Sequence, residues 1–430
     1  MNGKARSIPH GEPPDDLVAR LEARCRFCAA PLRHSFVDLG VSPLCQTHVA
    51  PEQLGEMEPF YPLHALVCDR CWLVQLQQFV APGDIFSEYA YFSSYSDSWV
   101  AHAQRYAESM GTRFELGERS LVMEIASNDG YLLQHFVTRN VPVLGIEPAA
   151  NVAEVARRKG IRTEVKFFGQ QTAREIAAAY GKPDLLLGNN VLAHVPDIND
   201  FVAGMKLLLQ DGGVITMEFP HLQRLIDENQ FDTIYHEHFS YLSFVTVERV
   251  FAAHGLTLFD VEELSTHGGS LRIYARHVED QSQPVTARAE ALRARETSLG
   301  FERLDFYRGF GERVKAVKNA LVEFLIGAKR AGKTVVGYGA PGKGNTLLNY
   351  CGIRTDYLDY TVDRNPYKQG KFTPGSRIPI HDPSRIAATR PDYILILPWN
   401  LREEIMSQMA YVRDWGCQFV VPIPQLQTFN

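Results

Sequence analysis

The sequence predicts an α/β chain in three parts: a small metal-binding lobe, a central open sheet with helices on both faces, and a second, smaller α/β unit. Three observations carry this. Four of the seven cysteines fall as two Cys-x-x-Cys pairs near the start. Between about 105 and 280, short apolar runs alternate with helix-like stretches, the rhythm of parallel strands joined by crossover helices. After an Ala-, Arg-, Glu- and Leu-rich stretch at 283–330, that rhythm restarts at Lys333. The parts are therefore expected at 1–85, 86–282 and 283–430.

Bulk properties exclude several classes. A content of 45% hydrophobic and 22% charged residues describes an ordinary soluble globular protein. The net charge of -6 offers no strong phosphate-binding field, so a nucleic-acid polymer is not expected as a partner. No apolar run approaches the ~18 residues of a membrane span. Residues 1–22 are polar, carry Pro9, Pro13 and Pro14, and lack the apolar core of a signal peptide. A cytoplasmic chain without a membrane partner is the expectation.

In chain order, Cys25, Cys28, Cys68 and Cys71 come first. Each Cys-x-x-Cys makes a knuckle that presents two thiolates, and two knuckles close a tetrahedral site. Four thiolates leave no open position, so a structural Zn2+ is expected; a redox pair is the competing reading. Residues 29–67 between the knuckles would fold as their own small lobe. Cys45, Cys351 and Cys417 show no pairing pattern and read as inert buried thiols. The aromatic run at 86–99, which includes Tyr89, is either a core seam or a wall over a ligand.

The apolar run 120–125 ends in Ala126, Ser127, Asn128, Asp129 and Gly130, and helix-like sequence follows. That is a buried strand turning sharply into a helix, where small residues let a ligand approach the backbone. The next strand, 141–146, ends in Glu147, placed to accept bonds from both ribose hydroxyls of an adenosine. Further strands are expected at 183–188 and 213–219, and helices at 101–116, 149–160 and 201–210. Ligands in such sheets sit at the carboxyl ends of strands, so 126–130, 147, 189–194 and 219–221 converge on one crevice. His194 is either a ligand-facing group or a capping histidine.

Tyr235, His236, Glu237, His238 and Tyr241 form the densest acid/base cluster, ahead of a helix at 246–254. The histidines could hold a metal, as in a hydrolase, or one could act as a general base. Gly268 and Gly269, just before Ser270, either make a tight turn or let a substrate lie against the backbone. In the last unit, Gly337, Gly339 and Gly342 match the dinucleotide fingerprint between a strand and a helix, with Asp363 ending the next strand, at 358–362. Lys343 at the helix start suits phosphate neutralisation equally well. A polar, cationic loop follows at 363–371. The final strands are expected at 393–397 and 418–422.

The cradle at 122–130 and Glu147 resembles that of class I S-adenosylmethionine (SAM) methyltransferases, with Ala126 and Asn128 replacing the first two glycines of the usual pattern. The whole order resembles the zinc-containing, SAM-dependent sugar C-methyltransferases that act on nucleotide-linked keto-deoxysugars, among them the C3-methyltransferases of tetronitrose and mycarose biosynthesis. The motifs are the paired Cys-x-x-Cys, Glu-Ile-Ala-Ser-Asn-Asp-Gly at 124–130 and Tyr-His-Glu-His-Phe-Ser-Tyr at 235–241. Two more follow: Gly-Tyr-Gly-Ala-Pro-Gly-Lys-Gly-Asn-Thr at 337–346 and Val-Asp-Arg-Asn-Pro-Tyr-Lys-Gln-Gly at 362–370.

The resemblance implies Rossmann-like central and C-terminal domains and a SAM site at Glu124, Ala126, Asn128, Gly130, Glu147, Pro148, Asn189 and Asn190. It implies that the C-terminal unit holds a TDP-linked keto-sugar rather than NAD, through Lys343, Asn345, Asp363, Lys368, Gln369 and Gly370, with Gly269 and Ser270 beside it. His238 would be the base, Tyr235 and Glu237 its orienting or relaying partners, and His194 and Tyr89 the sugar-facing groups. Which of Tyr235 and His238 takes the proton stays open. A monomer would suffice. The rival readings are an NAD-dependent oxidoreductase using 337–363 and a non-catalytic nucleotide-binding scaffold.

Overall fold

The computed structural model describes residues 23–81, 83 and 93–430. Three sheets organise them. The first is antiparallel and uses β1 (His34–Ser42), β2 (Tyr61–Val67) and β3 (Val74–Leu76). Its fourth strand, Ser240–Tyr241, comes from far along the chain and pairs with β3 at Val74 and Gln75.

The central sheet contains β4 (Val122–Ile125), β5 (Val143–Ile146), β6 (Thr163–Glu164), β7 (Leu185–Asn189) and β8 (Val214–Pro220). With Ser240–Tyr241 counted as β9, β10 (Leu256–Leu264) and β11 (Ser270–His277) complete it in the order β10-β11-β8-β7-β4-β5-β6. β4 to β8 run parallel, and every residue of β4 and β7 is buried because helices cover both faces. The strand order reverses between β4 and β7, which opens the crevice at their carboxyl ends. The sheet differs from an all-parallel one: β11 and β10 add an antiparallel edge. The lead-in helix starts earlier than expected, at Asp97, because the Ser96 hydroxyl caps the Trp99 amide at 3.4 Å.

The third sheet joins β12 (Val335–Tyr338), β13 (Thr361–Val362), β14 (Ile380–His381), β15 (Tyr393–Ile396), β16 (Gln418–Val421) and β17 (Gln427–Phe429). Their order is β14-β13-β12-β15-β16-β17, parallel except for β17. The strand expected at 358–362 shrinks to two residues because Leu358 N bonds to Arg354 O at 2.9 Å and closes a turn.

The N-terminal segment is not a free-standing lobe. Phe36, Leu39, Leu63 and Val67 share one buried cluster with Val314, Leu321, Leu347 and Leu395 of the last part. Phe36 stacks on Phe310 with ring centroids 4.6 Å apart. A few short strands cannot bury an apolar face alone, so this one is spent on the helices Phe310–Arg330 and Gly342–Cys351. Among the described residues, no helix is long and apolar enough to cross a membrane.

Candidate active site

The two knuckles are the same turn used twice. The residue after each pair, Ala29 (φ 58) and Trp72 (φ 67), takes left-handed backbone. Ala29 N thereby reaches Cys25 O at 2.9 Å, and Trp72 N reaches Cys68 O at 3.0 Å. The four Sγ atoms lie within 4.8 Å of one another, with Cys25–Cys71 at 3.4 Å and Cys28–Cys68 at 3.5 Å. Zn–S bonds of about 2.3 Å in a tetrahedron put sulfurs about 3.8 Å apart, so the set fits a closed structural zinc site. Gln75 Nε2 donates to Cys25 Sγ at 3.2 Å and Arg70 N to Cys68 Sγ at 3.4 Å, as supports of metal-bound thiolates do.

At the end of β4, Ala126 (φ 56) and Asn128 (φ 51) hold the left-handed conformations that glycines would ordinarily supply. The sequence departs from the glycine pattern, but the backbone does not. Asn128 Oδ1 accepts from Ser93 N at 2.9 Å, while Asn128 N donates to Glu147 Oε2 at 2.9 Å. The other Glu147 oxygen accepts from Ala149 N at 2.9 Å. Burial raises this carboxyl and the two N–H donors oppose the rise. Each oxygen keeps a lone pair for a diol. Asn189, ending β7, has a buried carboxamide whose oxygen and nitrogen find no partner among the described residues. These groups, with Pro148 and Asn190, border a cavity of about 1010 Å³. A carboxylate with spare lone pairs and an orphaned carboxamide, at the ends of the two strands that flank β4, fit an adenosine-bearing amino-acid cofactor.

Two expected cofactor residues sit elsewhere. Glu124 is sealed inside β4, its carboxyl oxygens unpartnered among the described residues and its pKa pushed well up by burial. Gly130 serves packing: a Cβ there would meet Ile161 Cδ1 at 2.3 Å.

The 235–239 loop is tied to the loop after β7 by Phe239 N donating to Ala193 O at 2.7 Å. This brings His194 edge-on to His238 with centroids 4.7 Å apart, and Tyr235 to 4.0 Å from the His238 ring. His238 Nδ1 lies 2.9 Å from Thr233 O. A carbonyl can only accept, so Nδ1 carries the hydrogen and Nε2 keeps its lone pair. Burial, then the neighbouring His194, hold His238 well below the ordinary imidazole range, and burial brings His194 down to about 4. Glu237 is pushed up to about 7 by burial, opposed by Cys45, whose Sγ donates to Oε1 at 3.4 Å. Cys45 is therefore buried but not idle. His236 turns the other way, with Nε2 3.1 Å from Pro62 O, so the His-x-His pair does not converge on a metal. Tyr89 lies outside the described residues.

Lys343 and Lys368 border the same cavity from the C-terminal side. Lys343 Nζ donates to Asn400 Oδ1 at 2.6 Å and stands 4.3 Å over the Trp399 ring. Burial lowers it to about 8, with Asp232 opposing. The other expected substrate residues are braces that do not border the cavity. Asn345 Nδ2 donates to Cys45 O at 2.6 Å. Asp363 Oδ2 accepts from Ala340 N at 2.8 Å and from Lys368 Nζ at 3.3 Å, and Oδ1 accepts from Asn365 N at 2.8 Å, so the carboxylate braces its own loop. Gln369 Nε2 binds Asp363 O, and Gly370 N binds Ile380 O, each at 2.9 Å. A Cβ on Gly269 would meet Arg224 Cγ at 2.5 Å, and the Ser270 hydroxyl donates to Thr266 O at 3.0 Å. Thr266 and His267 border the cavity instead, beside Trp99 and His102, with the His267 and Trp99 ring centroids 4.9 Å apart. His102 stacks on Trp99 at 4.9 Å and meets the buried Glu218 at 3.0 Å. Sequence reasoning missed His102, His267 and Glu218, although a glutamate inside the apolar run of β8 was a visible sign of a buried partner; Trp99 closes the aromatic run at 86–99.

The cofactor cradle and the four-cysteine zinc site are those of a SAM-dependent methyltransferase, with the neutral His238 imidazole in the same cavity as the cradle. Three families match in order: a zinc binding domain at 25–86, a methyltransferase domain at 99–261 and a C-methyltransferase C-terminal domain at 265–424. C-methyltransferase NovU of Streptomyces niveus is 37% identical over 410 residues, covering 95% of this chain and 97% of that protein. The chain belongs to this C-methyltransferase family. A ubiquinone biosynthesis O-methyltransferase of Bartonella quintana is 27% identical over 99 residues, 23% of this chain and 40% of that protein. Among solved structures, the magnesium protoporphyrin IX methyltransferase of Synechocystis PCC 6803 with bound SAM matches at 15% identity and a TM-score of 0.31. It covers 42% of this chain and 81% of its own. A SAM-dependent methyltransferase of Anabaena variabilis matches at 14% and 0.34, covering 42% and 86%.

Proposed function

We propose that the enzyme methylates C3, the carbon beside the ketone, of a TDP-linked 4-keto-deoxysugar through an enolate. The observation that carries this is His238: a neutral imidazole with its Nε2 lone pair available, in a cavity shared by the Glu147 cradle and Lys343. SAM, when bound, supplies the electrophilic methyl group, and Ala126, Asn128, Glu147, Pro148, Asn189 and Asn190 would hold it.

His238 Nε2 removes the proton beside the ketone, and the Thr233 carbonyl on Nδ1 stabilises the imidazolium that forms. Tyr235 and Glu237 orient the ring or relay its proton. His194 faces the sugar and stabilises the developing oxyanion, a role that the sequence also assigns to Tyr89. Lys343 and Lys368 take the diphosphate, and one chain carries all of these groups.

The test uses methyl-deuterated SAM with TDP-4-keto-deoxysugars and reads the product by mass spectrometry. A labelled methyl on sugar C3 is expected; transfer to oxygen, or SAM binding with no transfer to any such sugar, would refute the substrate assignment. In D2O, His238 should exchange the C3 hydrogen before methylation, and a His238→Ala protein should not.

A further inference from the structure

We propose that Arg26 is a positioning residue through which the zinc knuckle sets the spacing of the two histidine loops; this rests on the roles proposed above for His194 and His238. Arg26 lies between Cys25 and Cys28, so the metal-bound turn fixes its backbone. Its N–H donates to Gln75 Oε1 at 2.9 Å, and Asn199 Nδ2 reaches the carbonyls of Arg26 and Phe27 at 3.2 and 2.9 Å. Asn199 belongs to the helix Ile198–Leu208, directly after the His194 loop.

The side chain then spans both loops. One guanidinium nitrogen donates to Pro196 O at 2.7 Å, two residues beyond His194. The other donates to Leu76 O, on the strand whose Leu76 N binds Phe239 O at 3.0 Å. The guanidinium carbon stands 5.3 Å from the centroid of the Phe239 ring, next to His238. Only a rigid planar fork can serve two carbonyls and a ring face at once; a lysine ammonium is a single point. Arg26 touches no reacting group, yet both loops that carry the imidazoles close on it. A shift of about 1 Å in such groups costs up to ~100-fold in rate. The zinc site thus acts on turnover as well as on folding.

The test compares full-length, zinc-loaded wild type with Arg26→Gln and Arg26→Lys. Four measurements decide it: zinc per chain, SAM affinity by calorimetry, the imidazole resonances of His194 and His238, and steady-state kinetics giving kcat and KM for the sugar. Expected are full zinc, SAM affinity within twofold, shifted imidazole resonances, and kcat about 10- to 100-fold lower with KM little changed. Arg26→Lys should recover no more than a small part of the loss. Unmoved imidazole resonances, or kcat within twofold of wild type, would overturn the proposal. So would loss of zinc from both variants, since Arg26 would then belong to the fold of the metal site. The imidazole readout needs no sugar, so a wrong substrate assignment and a wrong role for Arg26 give different results.

Discussion

Glu237 and His238 are neighbours whose ionisation is displaced in opposite directions by the same burial, and both shifts favour the uncharged form. For His238 this means an imidazole that is unprotonated, with its Nε2 lone pair free, at ordinary pH. The acid limb of kcat/KM should therefore lie below pH 6.5; a limb at or above that value would contradict the base assignment. His238→Ala should lower kcat by about 10²- to 10⁴-fold with SAM affinity nearly unchanged, as measured by calorimetry beside single-turnover rates. For Glu237 the folded state keeps its proton up to about pH 7, while the unfolded chain releases it near 4.5. Its contribution is present below that lower value and is lost as pH rises towards 7; Asp232, also raised to about 7, adds the same sign. Glu237→Gln should flatten the fall in unfolding free energy across this window. His238 was legible because four polar aromatic or acidic neighbours crowd it in sequence. His102 and His267 were not, because their partners Glu218 and Asn190 come from distant segments.

At the scale of the element, the turn after β4 shows how a missing motif can coexist with an intact geometry. Left-handed backbone costs an alanine about 1–2 kcal/mol, whereas glycine there loses only about 0.5–1 kcal/mol to unfolded-chain entropy. Ala126→Gly should thus be neutral to about 1 kcal/mol stabilising in urea unfolding, and Ala126→Val clearly destabilising. A marked loss from the glycine variant would show that the alanine methyl packs usefully. The strand–helix alternation of the central part was legible because β4, β5, β7 and β8 are apolar runs ended by small or polar residues. β10 was not, because a bulge between Leu258 and Asp260 breaks its two-residue period and buries an aspartate held by Arg113 and Arg288.

For the whole molecule, the N-terminal sheet and the last α/β unit share one buried cluster, so neither part is sealed without the other. Removing residues 1–85 should leave 86–430 aggregation-prone, as judged by sedimentation of the expressed fragment. Cys25→Ser should lose zinc and several kcal/mol of stability, with the melting of the C-terminal tyrosines shifting together with that of the N-terminal sheet. Independent transitions would show that the shared cluster is dispensable. The three-part order was readable from cysteine spacing and the two strand–helix rhythms, but this sharing was not, since it depends on which apolar faces meet. The pairing of β9 with β3 also has a consequence for biosynthesis. A nascent chain can close both knuckles once Cys71 has left the ribosome, but the outer edge of β3 waits bare until Ser240 and Tyr241 follow. For that interval the growing polypeptide carries an open strand edge, the kind of surface that chaperones shield and that neighbouring chains on a polysome can mispair with.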